Sequence, residues 1–172
     1  MSVLVLLGGA RSGKSRLAVQ LAERAGAAVV FVATGEARDD EMAVRIGRHR
    51  SERPPEWKTV EEPFELEHAI RAIPAGATAI VDCLSLWVSN VIETWTDEAI
   101  EEAGAAAAQV ASARDGLTIA VSNEVGLGIV PASPLGRRYR DVLGRVNASW
   151  VEAAAESWFV VAGRRLRLED AP

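Results

Sequence analysis

Five short segments of the chain are almost continuously apolar and rich in β-branched residues. They are VLVLL, AVVFVA, TAIVDC, LTIAVS and WFVVA, at residues 3–7, 28–33, 78–83, 117–122 and 158–162. Strands buried on both faces of a parallel sheet have this pattern, whereas strands with one face in water alternate apolar and polar residues. The pattern therefore predicts five strands of a mostly parallel sheet.

Segments with helical periodicity lie between these strands. Residues 14–26 repeat leucine and alanine at a spacing of four and end at a glycine, which is typical of an amphipathic helix with a glycine cap. Alternation of strands and helices predicts a single α/β domain over residues 1–172, with helices flanking the sheet. Further helices are predicted at 39–50, 64–73, 97–114 and 136–157, and a short last strand followed by a tail at 164–172.

The composition excludes several classes of protein. Of the 172 residues, 49% are hydrophobic and 25% are charged, which is typical of a globular chain, and the net charge of -5 argues against broad nucleic-acid binding. Cys83 is the single cysteine, so an internal disulfide and a cysteine-rich zinc site are excluded. No apolar run approaches the roughly 20 residues that span a bilayer. We expect a cytoplasmic protein without membrane insertion.

The first strand leads directly into a glycine-rich loop. Gly8, four further residues and Gly13-Lys14-Ser15 complete the Walker A pattern between a strand and a helix, where its mechanism requires it. The backbone N–H groups and the helix N-terminus attract phosphate, Lys14 reaches the β and γ phosphates, and Ser15 ligates Mg²⁺. The pattern does not distinguish ATP from GTP, or a kinase from a motor. The predicted phosphate-binding residues are Gly8, Gly9, Ala10, Arg11, Ser12, Gly13, Lys14 and Ser15.

Asp82 ends an apolar strand, which is the Walker B arrangement of a carboxylate beside Mg²⁺. The alternative is a solvated residue at a strand end. Ligands of open α/β sheets bind beyond the carboxyl ends of the strands. We therefore expect Asp82, residues 33–35 and residues 122–126 to meet the phosphate loop in one crevice, with Ser15 and Asp82 as metal ligands.

Four motifs in order resemble one family. They are GGARSGKSR (8–16), ATG…DDEMAVRI…HR…RP..W.T.E (33–61), VDCLSLWVSN (81–90) and SNEVGLGIVP…R..RD..GR.N (122–147). Together they resemble the bifunctional adenosylcobinamide kinase/adenosylcobinamide-phosphate guanylyltransferases of cobalamin biosynthesis, over nearly the whole chain. The chain departs from the family pattern at GRRL, before its last strand, and at Asn147-Ala148. The resemblance implies a RecA-like P-loop fold, GTP and ATP as substrates with adenosylcobinamide, and a homo-oligomer, commonly a trimer.

The resemblance also implies roles for individual residues. His49 matches the histidine that carries GMP between donor and acceptor, so His49 and Lys14 are the predicted catalytic residues. An imidazole near its ordinary pKa of ~6.5 is a competent nucleophile, and one difficult displacement becomes two easier ones. Glu61 is our choice for reading the guanine edge. The implied nucleotide contacts are Ala33, Thr34, Gly35, Ser51, Glu52, Arg53, Pro54, Glu61 and Asp82.

Plainer interpretations stay open for several of these features. On composition alone, His49 fits a solvated basic helix end, and residues 121–147 fit a surface loop followed by a solvated basic turn at Arg137, Arg138 and Arg140. His68 is expected to be a bystander on a surface helix and Cys83 a core residue. Two other functions are compatible with the phosphate loop: a small-molecule kinase without a covalent step, and a regulatory nucleotide-binding module.

Overall fold

One seven-stranded sheet runs through the chain in this computed structural model, which describes residues 2–37, 40, 44, 46, 47, 50 and 53–169. Parallel pairing joins all neighbouring strands except the last two, which form an antiparallel hairpin. The strands are β1 (Ser2–Leu7), β2 (Val29–Ala33), β3 (Lys58–Glu61), β4 (Thr78–Asp82), β5 (Leu117–Val121), β6 (Glu156–Val161) and β7 (Arg164–Leu168). Their order in the sheet is β3-β2-β4-β5-β1-β6-β7.

Helices cover both faces of the sheet, which confirms the predicted fold class. One face packs on the helix after the phosphate loop, where Ala18 and Ala22 are fully buried against Leu6 and Phe31. The other face packs on helices that contribute large buried side chains such as Trp87 and Trp150. The helices are α1 (Lys14–Ala25), α2 (Leu66–Arg71), α3 (Leu84–Val91), α4 (Asp97–Ala113) and α5 (Pro134–Glu152).

The helix predicted at 39–50 lies largely outside the described residues, although residues 40, 44, 46, 47 and 50 are helical. Within the described ranges, no helix combines the length and the apolar character that crossing a bilayer requires.

The parallel register brings the strand ends into one row. Ala33 of β2 lies beside Glu61 of β3 and Asp82 of β4, and Val121 of β5 lies beside both Asp82 and Leu6 of β1. Side chains that follow these positions therefore leave the sheet at a common edge, as the sequence predicts.

Two elements were not predicted, and both ends of the helix predicted at 136–157 were wrong. The strand β3 and the helix α3 have no counterpart in the predicted elements. The helix predicted at 136–157 begins earlier, at Pro134, where the Ser133 hydroxyl accepts a hydrogen bond from Gly136 N. It also ends earlier, at Glu152. The alanines that follow favour a helix, but Ala155 N donates to Val3 O at 2.9 Å, so sheet pairing overrides local propensity.

The interpretation of a solvated basic turn is wrong for Arg138. Its Nη2 donates to Trp95 O at 2.7 Å, its Nη1 donates to Ile92 O, and its Nε contacts Asp97 Oδ1 at 2.6 Å. One guanidinium thus satisfies the carbonyls that connect α3 to α4 and ties that connection to α5.

Replacing Arg138 with alanine should lower the free energy of unfolding by about 2 kcal/mol, because two partly buried carbonyls and a carboxylate lose their donors. Arg71→Ala is the matched control, since Arg71 forms an exposed ion pair with Glu67 on a helix face, and its loss should change stability by less than about 0.5 kcal/mol. Denaturant unfolding of both variants measures the difference. Equal losses would contradict the role given to Arg138.

Candidate functional site

The loop between β1 and α1 has the backbone geometry of a phosphate-binding turn. Gly8, Arg11 and Gly13 have φ angles of 152°, 56° and 102°. Glycine adopts positive φ without a steric penalty, so the two glycines allow the chain to curl between strand and helix. The loop thus reverses direction and presents the N-terminus of α1 to the sheet edge, where an anion is favoured.

Lys14 is held against this loop and is only 6% exposed. Its Nζ donates to Gly8 O at 2.8 Å and to Gly9 O at 2.7 Å, and it lies 3.4 Å from Ser12 Oγ. A buried ammonium requires such acceptors. The predicted phosphate-binding lysine is therefore fixed against the loop by its own hydrogen bonds.

Main-chain contacts from two other segments fix the loop. Glu124 N donates to Gly8 O at 3.1 Å, and Gly163 N, in the turn between β6 and β7, donates to Ser12 O at 2.8 Å. A Cβ atom at Gly8 would overlap the carbonyl oxygen of Val160. Glycine at position 8 is thus required by packing against β6 as well as by φ.

A cavity of about 420 Å³ lies beside the N-terminal turn of α1. Ser15 and Asp82, the predicted metal ligands, both contribute to its wall. A hydroxyl and a carboxylate are hard oxygen ligands of the kind Mg²⁺ prefers when phosphates and water complete its shell. The donor set therefore fits Mg²⁺. The other lining residues are Arg16, Val19, Gln20, Phe31 and Arg53.

Arg53 brings a positive charge to the wall of this cavity. Its Cζ lies 3.5 Å from the centroid of the Phe31 ring, and its Nη1 lies 3.4 Å from Thr59 Oγ1. Burial lowers the pKa of the Arg53 guanidinium from its ordinary value, while the Asp82 carboxylate acts in the opposite direction. The Nε atom is buried without a hydrogen-bond partner among the described residues. Arg53 is thus a partly desolvated cation with unused hydrogen-bonding capacity.

Thr34, a predicted nucleotide contact, is fully buried and bonded within the protein. Its Oγ1 donates to Cys83 O at 2.7 Å and accepts from Cys83 N at 2.8 Å, while Thr34 N donates to Asp82 O. Asn90 Nδ2 donates to Thr34 O at 2.7 Å. In this structure Thr34 therefore fixes the backbone at Asp82, and a direct contact between Thr34 and nucleotide stays a prediction.

Cys83 is a buried core residue, as expected. Burial raises the pKa of its thiol to about 11, with the neighbouring Asp82 carboxylate adding to the effect. Its Sγ lies 3.0 Å from Ser85 Oγ. A neutral, enclosed thiol is a poor nucleophile.

His49, Ser51 and Glu52 lie outside the described residues, so their predicted roles stay predictions. Their described neighbours lie at the same edge of the sheet as the phosphate loop. Arg50 Nη1 lies 3.3 Å from Glu61 Oε1, at the end of β3. A Cβ on Gly35 would contact both Ile46 and Leu86, so the chain near residue 46 packs at the end of β2.

Sequence reasoning missed several residues of this region. Arg16, Gln20 and Phe31 line the cavity. In the sequence, the first two were predicted only as part of an amphipathic helix and Phe31 only as part of a buried strand. Asn90 and Asn147 were quoted in motifs without a role, and each tethers the backbone at the sheet edge. Their contacts are long-range, so no local pattern reveals them.

Comparison with known proteins decides the family. A family model described as cobinamide kinase / cobinamide phosphate guanyltransferase matches residues 3–168. The chain belongs to this family. The match confirms the resemblance drawn from the four motifs, and it places this member among enzymes with a kinase and a transferase activity in their family description.

Relatives of this family member are similar along their whole length. It is 41% identical over 169 residues to the bifunctional adenosylcobalamin biosynthesis protein CobP of Pseudomonas aeruginosa, covering 98% of each chain. It is 38% identical over 181 residues to the bifunctional adenosylcobalamin biosynthesis protein CobU of Escherichia coli, covering 97% of this chain and 99% of that protein.

Solved structures are similar in fold alone. The flagellar accessory protein FlaH of Methanocaldococcus jannaschii has a TM-score of 0.50 at 14% identity, over 95% of this chain and 74% of that one. An ATPase of a bacterial type III secretion system has a TM-score of 0.51 at 9% identity, over 92% of this chain and 51% of that one. These matches support the P-loop class of the fold.

We expect Gly8→Ala to lower the free energy of unfolding by about 3 kcal/mol, because its Cβ meets a main-chain oxygen and its φ is unfavourable for alanine. Gly9→Ala is the matched control, since nothing lies within 4 Å of a Cβ at that position. Denaturant unfolding measures the stability of the two variants. If Gly9→Ala lost as much stability as Gly8→Ala, the packing role given to Gly8 would be contradicted.

The raised pKa of Cys83 predicts a stability change at high pH. The folded thiol stays protonated above its ordinary pKa of 9.0, whereas the thiol of the unfolded chain ionises there. The contribution of Cys83 to the free energy of unfolding is therefore complete well below pH 9 and falls as the pH rises above 9. The loss attributable to Cys83 is about 1 kcal/mol between pH 9 and pH 10, because the folded pKa of about 11 lies above this range. Measuring the free energy of unfolding of wild type and Cys83→Ala at pH 9 and pH 10 isolates the contribution of Cys83. Parallel pH profiles for the two proteins would refute the assignment.

Proposed function

We propose that this chain is a bifunctional kinase and guanylyltransferase that acts on adenosylcobinamide. In the first reaction the γ-phosphate of GTP or ATP passes to the aminopropanol hydroxyl of adenosylcobinamide. In the second, GMP passes from GTP to the resulting phosphate, giving adenosyl-GDP-cobinamide and pyrophosphate. The observation that carries the proposal is the cavity that joins Ser15 and Asp82 to Arg53, beside a loop that holds Lys14.

The kinase step requires positioning and charge stabilisation rather than covalent chemistry by the protein. Lys14 and the loop N–H groups bind the phosphates, and Ser15 with Asp82 holds Mg²⁺. The ion, when bound, neutralises charge on the β and γ oxygens. Lys14 exchanges its carbonyl acceptors on Gly8 and Gly9 for phosphate oxygens, so the buried charge keeps partners throughout.

The guanylyl step proceeds through His49. The neutral imidazole attacks the α-phosphorus of GTP, a phosphorus–nitrogen bond forms, and the bond to the β-phosphate oxygen breaks to release pyrophosphate. The acceptor phosphate then attacks the same phosphorus, and the protonated imidazole leaves. Support comes from the described neighbours Ile46 and Arg50, which lie at the ends of β2 and β3, and from Arg53 in the cavity wall.

Glu61 is proposed to read the guanine edge. A carboxylate accepts hydrogen bonds from guanine N1–H and the exocyclic amine together, an edge that adenine does not present. Glu61 is exposed at the end of β3, where Arg50 is its ion-pair partner at 3.3 Å. Because both side chains are well exposed, this ion pair is weak enough to be exchanged for a base.

The cellular location and the assembly of the enzyme are also proposed. We propose a cytoplasmic homotrimer, as the family resemblance implies. Leu127, Ile129 and Val130 are exposed side chains in the segment that follows Glu124, and apolar exposure of this kind supports an interface between subunits. The mass of the protein in solution tests the assembly.

His49→Ala should abolish covalent labelling by GTP carrying label at its α-phosphate. We expect the wild type to retain an alkali-stable, acid-labile adduct after denaturation, and to exchange label between pyrophosphate and GTP without any corrinoid. Both signals require the histidine intermediate. Mass spectrometry of GTP-treated protein, with pyrophosphate removed enzymatically, locates the added mass.

The chain provides its own control for this test. His68 is the other histidine and is exposed on α2, so His68→Ala should leave labelling and turnover unchanged. Normal guanylyl transfer by His49→Ala would reject the covalent step. Normal phosphate transfer by His49→Ala, with no guanylyl transfer by wild type, would leave a P-loop small-molecule kinase. Binding of GTP without transfer to any corrinoid would favour a regulatory nucleotide-binding module.

A further inference from the structure

The segment Ser122–Glu124 leaves the sheet between the two halves of the phosphate site. Val121, the last residue of β5, is in register with Leu6 on one side and with Asp82 on the other. Ser122 N donates to Leu6 O at 3.0 Å, and Glu124 N donates to Gly8 O at 3.1 Å. The segment is thus hydrogen-bonded to the phosphate loop and adjacent to the strand that carries Asp82.

Asn147 of α5 holds the middle of this segment. The residue is 4% exposed, and its Nδ2 donates to Asn123 O at 3.1 Å. Its Oδ1 and the hydroxyl of fully buried Ser122 have no hydrogen-bond partner among the described residues. Unsatisfied buried polar atoms are costly, so a purely structural position would favour an apolar side chain like the neighbouring Val146.

Strand alternation indicates which way Asn123 faces. Val121 packs in the apolar cluster beneath α1, whereas Ala120 packs in the cluster beneath α4 and α5. Continued alternation directs Ser122 toward α5 and Asn123 toward the face that carries α1. The N-terminus of α1 is the phosphate end of the loop, and Asn123 is only half-buried there.

We propose that the side-chain amide of Asn123 donates a hydrogen bond to the terminal phosphate of the bound nucleotide, and that Asn147 is the positioning residue for Asn123. This proposal rests on the proposed function at the same phosphate site. A fixed neutral donor stabilises the charge that develops on the transferring phosphoryl oxygens and gives up no proton. Asn147 acts only through the carbonyl of Asn123, which keeps the segment against Gly8.

The test measures kcat for phosphate transfer to adenosylcobinamide together with the KM for GTP. Asn123→Ala should lower kcat by about 100-fold with little change in KM, because the donor acts on the transferring group. Asn147→Asp replaces the donor to Asn123 O by an oxygen, and should lower kcat by about tenfold through misplacement alone. If Asn147 acts through Asn123, the double variant should be no slower than Asn123→Ala.

Control variants separate a positioning role of Asn147 from an effect of its replacement on folding. Ser149→Ala removes a solvent-exposed side-chain hydrogen bond from α5 and should leave kcat unchanged. If Asn147→Asp does not fold, Asn147→Ala removes the same donor without adding charge. If Asn147 has only a structural role, its replacement should lower thermal stability, and its effect on kcat should multiply with that of Asn123→Ala in the double variant. That result would overturn the positioning role.

Release of inorganic phosphate from GTP without corrinoid distinguishes this proposal from the function itself. If wild type transfers nothing to adenosylcobinamide, the proposed function fails, and the same variants are then compared by this hydrolysis rate. Asn123→Ala should reduce hydrolysis as it reduces transfer. Rates within about twofold of wild type in whichever assay the wild type supports would overturn the inference.

Discussion

The common register of the parallel strands is the constraint on which the rest of the site depends. Asp82, Val121 and Leu6 are aligned across three neighbouring strands, and the phosphate loop, Asn123 and Cys83 follow from their ends. A shift of one residue in any strand would turn its side chains to the opposite face of the sheet. The buried faces of this sheet prevent such a shift, since both are packed against helices. Packing of the core therefore fixes the positions of Asp82, the phosphate loop and Asn123 relative to one another.

Contacts within the protein fix the shape of the phosphate loop. Gly8 packs against Val160, Ser12 accepts from Gly163, and Gly8 accepts from Glu124. Two segments distant in sequence from the loop, one at Val160–Gly163 and one at Glu124, thereby fix a curl that positive φ angles alone would only permit. A preformed loop does not pay the ordering cost of closing around its ligand, so more of the phosphate interaction contributes to binding.

The sequence predicted those elements whose pattern is local. The strands β1, β2, β4 and β5 are continuously apolar because both of their faces are buried, and the Walker A pattern identifies its own loop. The edge strand β3 has the sequence KTVE, with one apolar residue and two exposed ends, so no strand pattern was visible. The helix α3 was missed because five of its eight residues are buried, which erases the one-sided periodicity that marks a surface helix.

Contacts between distant residues could not be predicted in the same way. Arg138 fits a solvated basic turn on composition, but its acceptors lie more than 40 residues earlier in the chain. The family resemblance implies a nucleotide contact for Thr34, and the structure adds that its hydroxyl makes a pair of hydrogen bonds with the backbone of Cys83. In both cases the residue type was informative about hydrogen bonding, and only the fold could identify the partner.

One phosphate loop can serve both proposed reactions because they break different bonds of the same bound triphosphate. In the proposed kinase step the γ-phosphoryl group is transferred, and charge would develop beside Lys14 and the proposed Mg²⁺ ligands. In the proposed guanylyl step the leaving group is pyrophosphate, which comprises the β and γ phosphates that the loop would hold. The α-phosphorus must then lie beyond the loop, toward a separate source of positive charge. Arg53 lies in the cavity wall with Ser15 and Asp82 and is partly removed from water. In the proposed mechanism it would supply that charge, because a desolvated cation is screened less than one in bulk water.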